Sequence, residues 1–341
     1  MKKDRQSHGA EKLADTNGEA LPDVTPPKET PSPAKFCASI YPGPASPVPK
    51  GFVDLIQRLE KLLDMPVWFI VQNNDGPWSE IGADLFKGFQ RAMSDMPKGK
   101  PVALLLESPG GQANYAYRLA RMLQVRTQNK LTVIVPQYAK SAGTLLALGA
   151  SDLILGPEAE LGPLDVQMFD MERESYGSAL DAVQSLERLN AFAMTAVDQT
   201  MLLLIRRTGK RTDVILPQVL NYVSHFLQPL LQKIDTLDYT KKSRELKVAE
   251  EYAVRLMRPN YSWTDAKRIA RQLVERYPTH GFVIDKEEAE GCETVGIGGE
   301  TFGLGLNLCD KFSDNEDVNS ILGDIIPYLD SLVVSGRIRE I

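Results

Sequence analysis

Cysteine is nearly absent from this 341-residue chain, with only Cys37, Cys292 and Cys309. Their odd number and wide spacing fit neither a disulfide framework nor a zinc site, and a reducing cytoplasm is the simplest compartment for them. No run of about 18 apolar residues occurs, so no spanning helix is expected. The lysines at the start are followed by no apolar stretch, so a signal peptide is not expected either. The chain has no Walker A sequence, no G-x-G-x-x-G, no group with metal-ligand spacing and no internal repeat; neither cofactor nor metal is expected. Positive charge is also short: 39 Lys and Arg stand against 45 Asp and Glu, a net −6, which argues against non-specific nucleic-acid binding. Histidine occurs three times, which narrows the choice of a catalytic base.

The composition that remains is that of a soluble globular protein, 43% hydrophobic and 25% charged. Residues 1–35 are polar, rich in Pro, Lys and Glu, and read as disordered, with the tail drawn to residue 45. His8 falls there and is a poor catalytic candidate. The core is expected over 46–170, a helical insertion over 171–260, a return to the core over 261–310 and an amphipathic tail over 311–341.

Within the core, Phe52–Leu63 has helical apolar spacing, Pro66–Val71 reads as a strand and Ile81–Met93 as a helix. Trp78, in the loop between those two, suits either loop packing or a cleft wall. Two continuous apolar runs, Val102–Leu106 and Leu131–Val135, read as buried strands, and Leu153–Leu155 as a third. Each of the first two ends in a turn of small residues and then opens a helix, the pattern of a parallel βαβ layer whose strand ends carry chemistry.

The first turn is Ser108-Pro109-Gly110-Gly111. Paired glycines allow close approach to a ligand, and the N–H groups ahead of a helix favour an anion; an ordinary strand–helix turn would look the same. The second turn is Tyr138-Ala139-Lys140-Ser141-Ala142-Gly143. Its Ser141 reads either as a helix N-cap or as a nucleophile with small neighbours that admit a substrate carbonyl. Asp165, in the loop Gly162-Pro163-Leu164-Asp165, is a common turn residue or a functional acid. Glu158 and Glu160 are expected in solvent. His280, beside Gly281 and before an expected strand Phe282–Ile284, suits a base working near neutral pH. Lys140 is a second possible base, although its place next to Ser141 points its side chain elsewhere.

SPGGQ, AKSAGTLLALGASDLIL and LGPLDVQ, with YPTHGFVIDKEEAEGCETV further on, resemble the serine dehydrogenase proteinase family. These proteins are relatives of the Clp protease proteolytic subunit and of signal peptide peptidase A. The resemblance is specific over Val102–Gln167 and Tyr277–Val295. It implies a ClpP/crotonase-like α/β fold of parallel ββα units with a helical insertion. It also implies a catalytic Ser141, Asp165 and His280, an oxyanion hole from the Gly111 and Ala142 amides, and peptide or unfolded-protein substrates. Nicotinamide chemistry, which the family's name suggests, has no support in the sequence. A crotonase-type acyl-CoA reaction would use the same amides without Ser141, and an inactive peptide-binding scaffold would use neither.

Between the Asp and His motifs, residues 178–257 read as mostly helical, broken at Pro217 and Pro229. His225 there reads as structural. Trp263–Glu275 reads as a helix capped by Ser262 or Thr264, and Asp285 as the cap of a short helix. Ile321–Val334 reads as a helix that docks on a neighbour. A homo-oligomer built through the insertion or this last helix is expected, because apolar helix surface exceeds what one three-layer core needs.

Overall fold

Continuous apolar strands require burial on both faces. The computed structural model meets this requirement in a sheet covered on both sides; it describes residues 36–38, 46–72, 79–170, 174–291, 294–295, 301–330 and 332–340. Trp78, His8 and Cys292 lie outside the described residues. In chain order the first half gives α1 (Lys50–Leu63), β1 (Val67–Val71), α2 (Ala83–Ala92), β2 (Val102–Glu107), α3 (Ala113–Thr127), β3 (Leu131–Val135), β4 (Tyr138–Ala139), α4 (Ala142–Ala147), β5 (Asp152–Leu155) and β6 (Glu160–Leu161). The second half gives α5 (Ala179–Thr208), α6 (Thr212–Leu231), α7 (Thr236–Met257), α8 (Trp263–Glu275), α9 (Lys286–Glu290), α10 (Asp310–Ser313), α11 (Glu316–Leu329) and β7 (Val334–Gly336).

The main sheet runs β7-β1-β2-β3-β5. The β1–β2, β2–β3 and β3–β5 pairs are parallel, and β7 closes the β1 edge antiparallel. Alternation along the strands sorts the two faces. Trp68, Ile70, Leu104, Leu106, Val133 and Val135 face α2, α3, α4, α7 and α8. Val67, Phe69, Val71, Leu105, Ile134 and Ile154 face α1 and α11. The fold is therefore α/β with a parallel sheet between helical layers. Apart from the main sheet, Phe36–Ala38, inside the stretch drawn as tail, pairs antiparallel with Ile338–Glu340.

Three sequence expectations change. Pro217 and Pro229 do not break α6; both lie inside it. Each removes one backbone donor, and packing of Ile215, Val219, Val223 and Leu227 against α5 holds the helix together. The helix α11 does not offer its apolar face to a neighbour. Ile321, Leu322, Ile325 and Leu329 are buried within this chain, and Val334 belongs to β7. Phe282–Ile284 contributes a single bridge, Leu161 with Ile284, rather than a strand.

Helices α5 and α6 form a hairpin with its own small core. In its 20 residues α6 carries one charged side chain, Asp213. Among the described residues, eleven of the 17 exposed large apolar side chains lie on this hairpin. Phe192, Tyr222 and Phe226 form a ridge, and a separate groove of about 660 Å³ is lined by residues such as Met194, Val197, Leu220 and Leu231. His225 has the local role expected of it, with Nδ1 2.8 Å from the Asn221 carbonyl. Among the described residues no helix is long and apolar enough to cross a membrane.

Gln124 joins the insertion to the core. Buried in α3, its amide donates to the carbonyls of Gly149 (2.9 Å) and Leu256 (2.7 Å), at the ends of α4 and α7. Gln124→Leu should strand both carbonyls and lower the unfolding free energy by about 1–3 kcal/mol per unmet group. Urea denaturation measures this, and an unchanged midpoint would show that these bonds are not needed.

Candidate active site

The two turns flagged in the sequence are joined beyond the end of the sheet. Ser108 and Ala139 form a parallel bridge, with Ser108 N–H donating to the Tyr138 carbonyl at 3.1 Å and Lys140 N–H to the Ser108 carbonyl at 2.9 Å. The Ser108 hydroxyl donates to Gln72 Oε1 at 2.7 Å and accepts the Gly110 N–H at 3.1 Å. Ser108 is fully buried, so it acts as a rivet between loops rather than as a reactive group.

Gly110 and Gly111 have φ of 117° and 139°. A Cβ on Gly110 would lie 2.9 Å from the Lys140 carbonyl and 3.0 Å from Ser141 Cβ. One on Gly111 would lie 2.5 Å from Ile81 N. Ile81 fixes this turn by donating to the Gly110 carbonyl at 2.7 Å and accepting from Gln112 N–H at 2.9 Å. The glycines are thus required for conformation and for space.

Ser141 precedes α4 with φ 50° and ψ −113°, and its side chain does not cap the helix. Such a conformation in a residue with a side chain stores about 1–3 kcal/mol and marks functional turns. The residue is partly exposed, whereas Ala142 and Gly143 behind it are buried. Among the described residues the Gly111 and Ala142 N–H groups donate no backbone hydrogen bond.

Gly162 brings the acid-bearing loop to the same place. A Cβ there would lie 3.3 Å from Ser141 N, and Gly162 N–H donates to Thr144 Oγ1 at 3.0 Å. Asp165, three residues on, is buried. It accepts from Gln167 Nε2 at 3.0 Å, from Leu180 N–H at 3.2 Å, and from Ser178. Burial pushes its carboxyl above the ordinary range, while these donors and the nearby His280 pull it back. His280 itself has a buried Nδ1 with no partner among the described residues. No hydrogen bond joins it there to Asp165 or Ser141.

Lys140 turns to Glu160 (2.9 Å) and to the Leu161 carbonyl (3.2 Å). Glu160 is thus an ion-pair partner rather than a solvated acid, while Glu158 is exposed. The structure therefore gathers Gly110, Gly111, Ser141, Ala142 and the start of the Asp165 loop, and sets His280 within electrostatic reach of Asp165. Sequence reasoning passed over Ser108, Gly162 and Thr144. The last two already stood inside the LGPLDVQ and KSAGT motifs, where a position packed against the nucleophile turn is foreseeable.

Residues 79–205 match the ClpP-like SDH-type serine proteinase family. The match spans both turns and Asp165 and ends inside α5, before His280. The uncharacterized proteins MJ0137 and MJ1495 of Methanocaldococcus jannaschii are 28% and 27% identical to the chain, over 59% and 56% of it. The chain spans about half the length of these curated relatives, 54% and 50%. Two mutant structures of the 1510-N membrane-bound stomatin-specific protease, one in complex with a substrate peptide, are 20% and 22% identical, with TM-scores of 0.26 and 0.25. Each covers 44% of this chain, which spans 67% and 64% of theirs.

Within residues 79–205 the glycine turn is the most sensitive element. Gly110→Ala should lower stability by about 1–3 kcal/mol through backbone strain alone, more if Ser141 cannot move aside. A thermal melt within error of the parent protein would refute the crowding described above.

Proposed function

We propose that the chain is a serine peptidase in which Ser141 attacks the peptide carbonyl. The observation that carries this reading is the strained, partly exposed Ser141 at the start of α4, packed against Gly110, with the Gly111 and Ala142 N–H groups making no backbone hydrogen bond among the described residues. His280 takes the hydroxyl proton and returns it to the leaving amine, and Asp165 orients the imidazole. An ionised carboxylate offers about four acceptor sites. Gln167, Leu180 and Ser178 use three, which leaves one for His280 Nδ1–H, itself a buried group in need of an acceptor. Gly111 and Ala142 N–H stabilise the tetrahedral oxyanion, each worth about 2.7–4 kcal/mol in such sites. A peptide or an unfolded protein is the substrate, and the reducing cytoplasm is the compartment. The alternative base, Lys140, is held by Glu160 and the Leu161 carbonyl.

A fluorophosphonate probe should label Ser141 and nothing in Ser141→Ala. Against a peptide or casein substrate, Ser141→Ala and His280→Ala should each lose at least about 10³-fold in kcat, and Asp165→Asn about 10²–10⁴-fold. Lys140→Ala should lose less than about tenfold. Activity surviving in Ser141→Ala would favour the acyl-CoA chemistry of a crotonase. Loss in Lys140→Ala with retention in His280→Ala would install a Ser–Lys pair.

The assembly proposed for this peptidase is a homo-oligomer formed by two hairpins packed side by side. The exposed apolar flanks of two hairpins can pack against each other about a twofold axis. The charges Arg206, Arg207, Lys210 and Arg211 cluster at the tip, clear of the apolar flank. Sedimentation velocity at micromolar concentration should show a dimer or larger, and Tyr222→Glu with Phe226→Glu should give monomers. A monomeric parent protein would sink the assembly.

A further inference from the structure

Among the described residues, Glu107 is the one buried acid next to the nucleophile turn that the proposed mechanism leaves without a task. It ends β2, immediately before Ser108, and is 1% exposed. Strand interiors seldom hold an acid unless its oxygens are met. Here they are met by backbone of the other turn: Gln137 N–H reaches Oε2 at 3.2 Å, and Tyr138 N–H lies 3.2 Å from both oxygens. These two amides belong to the segment that runs from β3 into β4 and on to Lys140 and Ser141.

We propose that Glu107 is a positioning residue for Ser141, its carboxyl holding the backbone at Gln137 and Tyr138 so that β4 delivers Ser141 against Gly110. The proposal rests on Ser141 being the nucleophile. Glu107 touches no reacting atom and acts only through the turn. Its own carbonyl accepts Gln72 N–H at 2.9 Å, so the same residue also ties down the end of β1. Together with Ser108, which bonds Gln72 and Gly110, it clamps three strand ends around one point.

The charged and titratable groups facing Glu107 come from three places. Tyr138 on β4 has its phenol pushed up to about 12, chiefly by burial. Glu160 on β6 is paired with Lys140, and Asp330 follows α11. Burial pushes the Glu107 carboxyl up to about 8 against the pull of the two N–H donors, and the two carboxylates add to the rise. Because the folded value lies above the unfolded one, the stability this group contributes is whole below the ordinary carboxylate range. It is lost as pH rises through about 8. Above that point a buried anion faces Asp330 and Glu160, and the turn should loosen.

The test compares parent protein, Glu107→Gln and Glu107→Leu from about pH 6 to about pH 10. One readout is the rate of fluorophosphonate labelling at Ser141, and the other is amide hydrogen exchange over residues 137–143. The parent's labelling rate should fall above about pH 8 relative to its neutral value, and Glu107→Gln, which cannot ionise, should lack that fall. Glu107→Leu should label at least about tenfold more slowly and exchange faster over 137–143, with β1, β2 and β3 still protected. The proposal is overturned if Glu107→Gln shows the parent's alkaline fall, or if Glu107→Leu labels and exchanges like the parent. Should Glu107→Leu fail to fold, the glutamine variant decides. A parent protein that never labels sinks the serine reading instead, and exchange over 137–143 then decides the role of Glu107 by itself.

Discussion

The short parallel bridge between Ser108 and Ala139 is the constraint on which the site depends. Parallel strands in the main sheet diverge once their ladders end. Here two strand ends are kept in register for one further step, and that step is enough to set a glycine turn against a serine turn. Everything that follows uses this contact. Gly110 must be glycine because Lys140 and Ser141 lie beneath it. Ser141 keeps an unfavourable φ because both its flanks are pinned. Gly162 can enter from the other side because Thr144 holds it at the start of α4.

Much of this was legible in the residues. Continuous Val, Ile and Leu runs ending in small residues have few other readings, and Val102–Glu107 and Leu131–Val135 fell where those runs lie. Caps at Ser262 and Asp285 were equally plain, because a side-chain oxygen ahead of an apolar-periodic stretch has a local reason to be there. What escaped were properties set by distant partners. Pro217 and Pro229 look like breaks until α5 supplies the packing that outweighs two missing donors. The apolar stripe of α11 gives no sign of whether it meets another molecule or α1 of the same chain. Glu107 at the end of an apolar run looks like the start of a loop, since nothing local shows that backbone amides thirty residues away will meet its oxygens.

The site residues divide along the same line. Ser141 and the glycine turn could be picked out from neighbouring small residues, because their geometry is local to two turns, whereas the roles of Gly111 and Ala142 came from the family resemblance. Asp165 and His280 lie on loops whose positions come from long-range docking, Leu164 N–H to Leu273 carbonyl and Leu161 with Ile284. Spacing in a sequence carries no information about such docking. The identity of Asp165 as a turn residue was the competing reading, and its bond to Leu180 N–H shows that the acid serves the start of α5.

The antiparallel strand β7 has a consequence for the timing of folding. It covers the outer edge of β1, yet it is synthesised after α1 to α11 have all emerged. At about 5–20 residues per second, roughly 10–50 s separate the two strands on the ribosome. During that interval the β1 edge presents unpaired N–H and C=O groups to any passing chain. Nascent chains of this protein are therefore most vulnerable to strand-swapped aggregation in the interval before β7 emerges, when the turns around Ser141 can already have formed but the sheet that carries them is still open on one side.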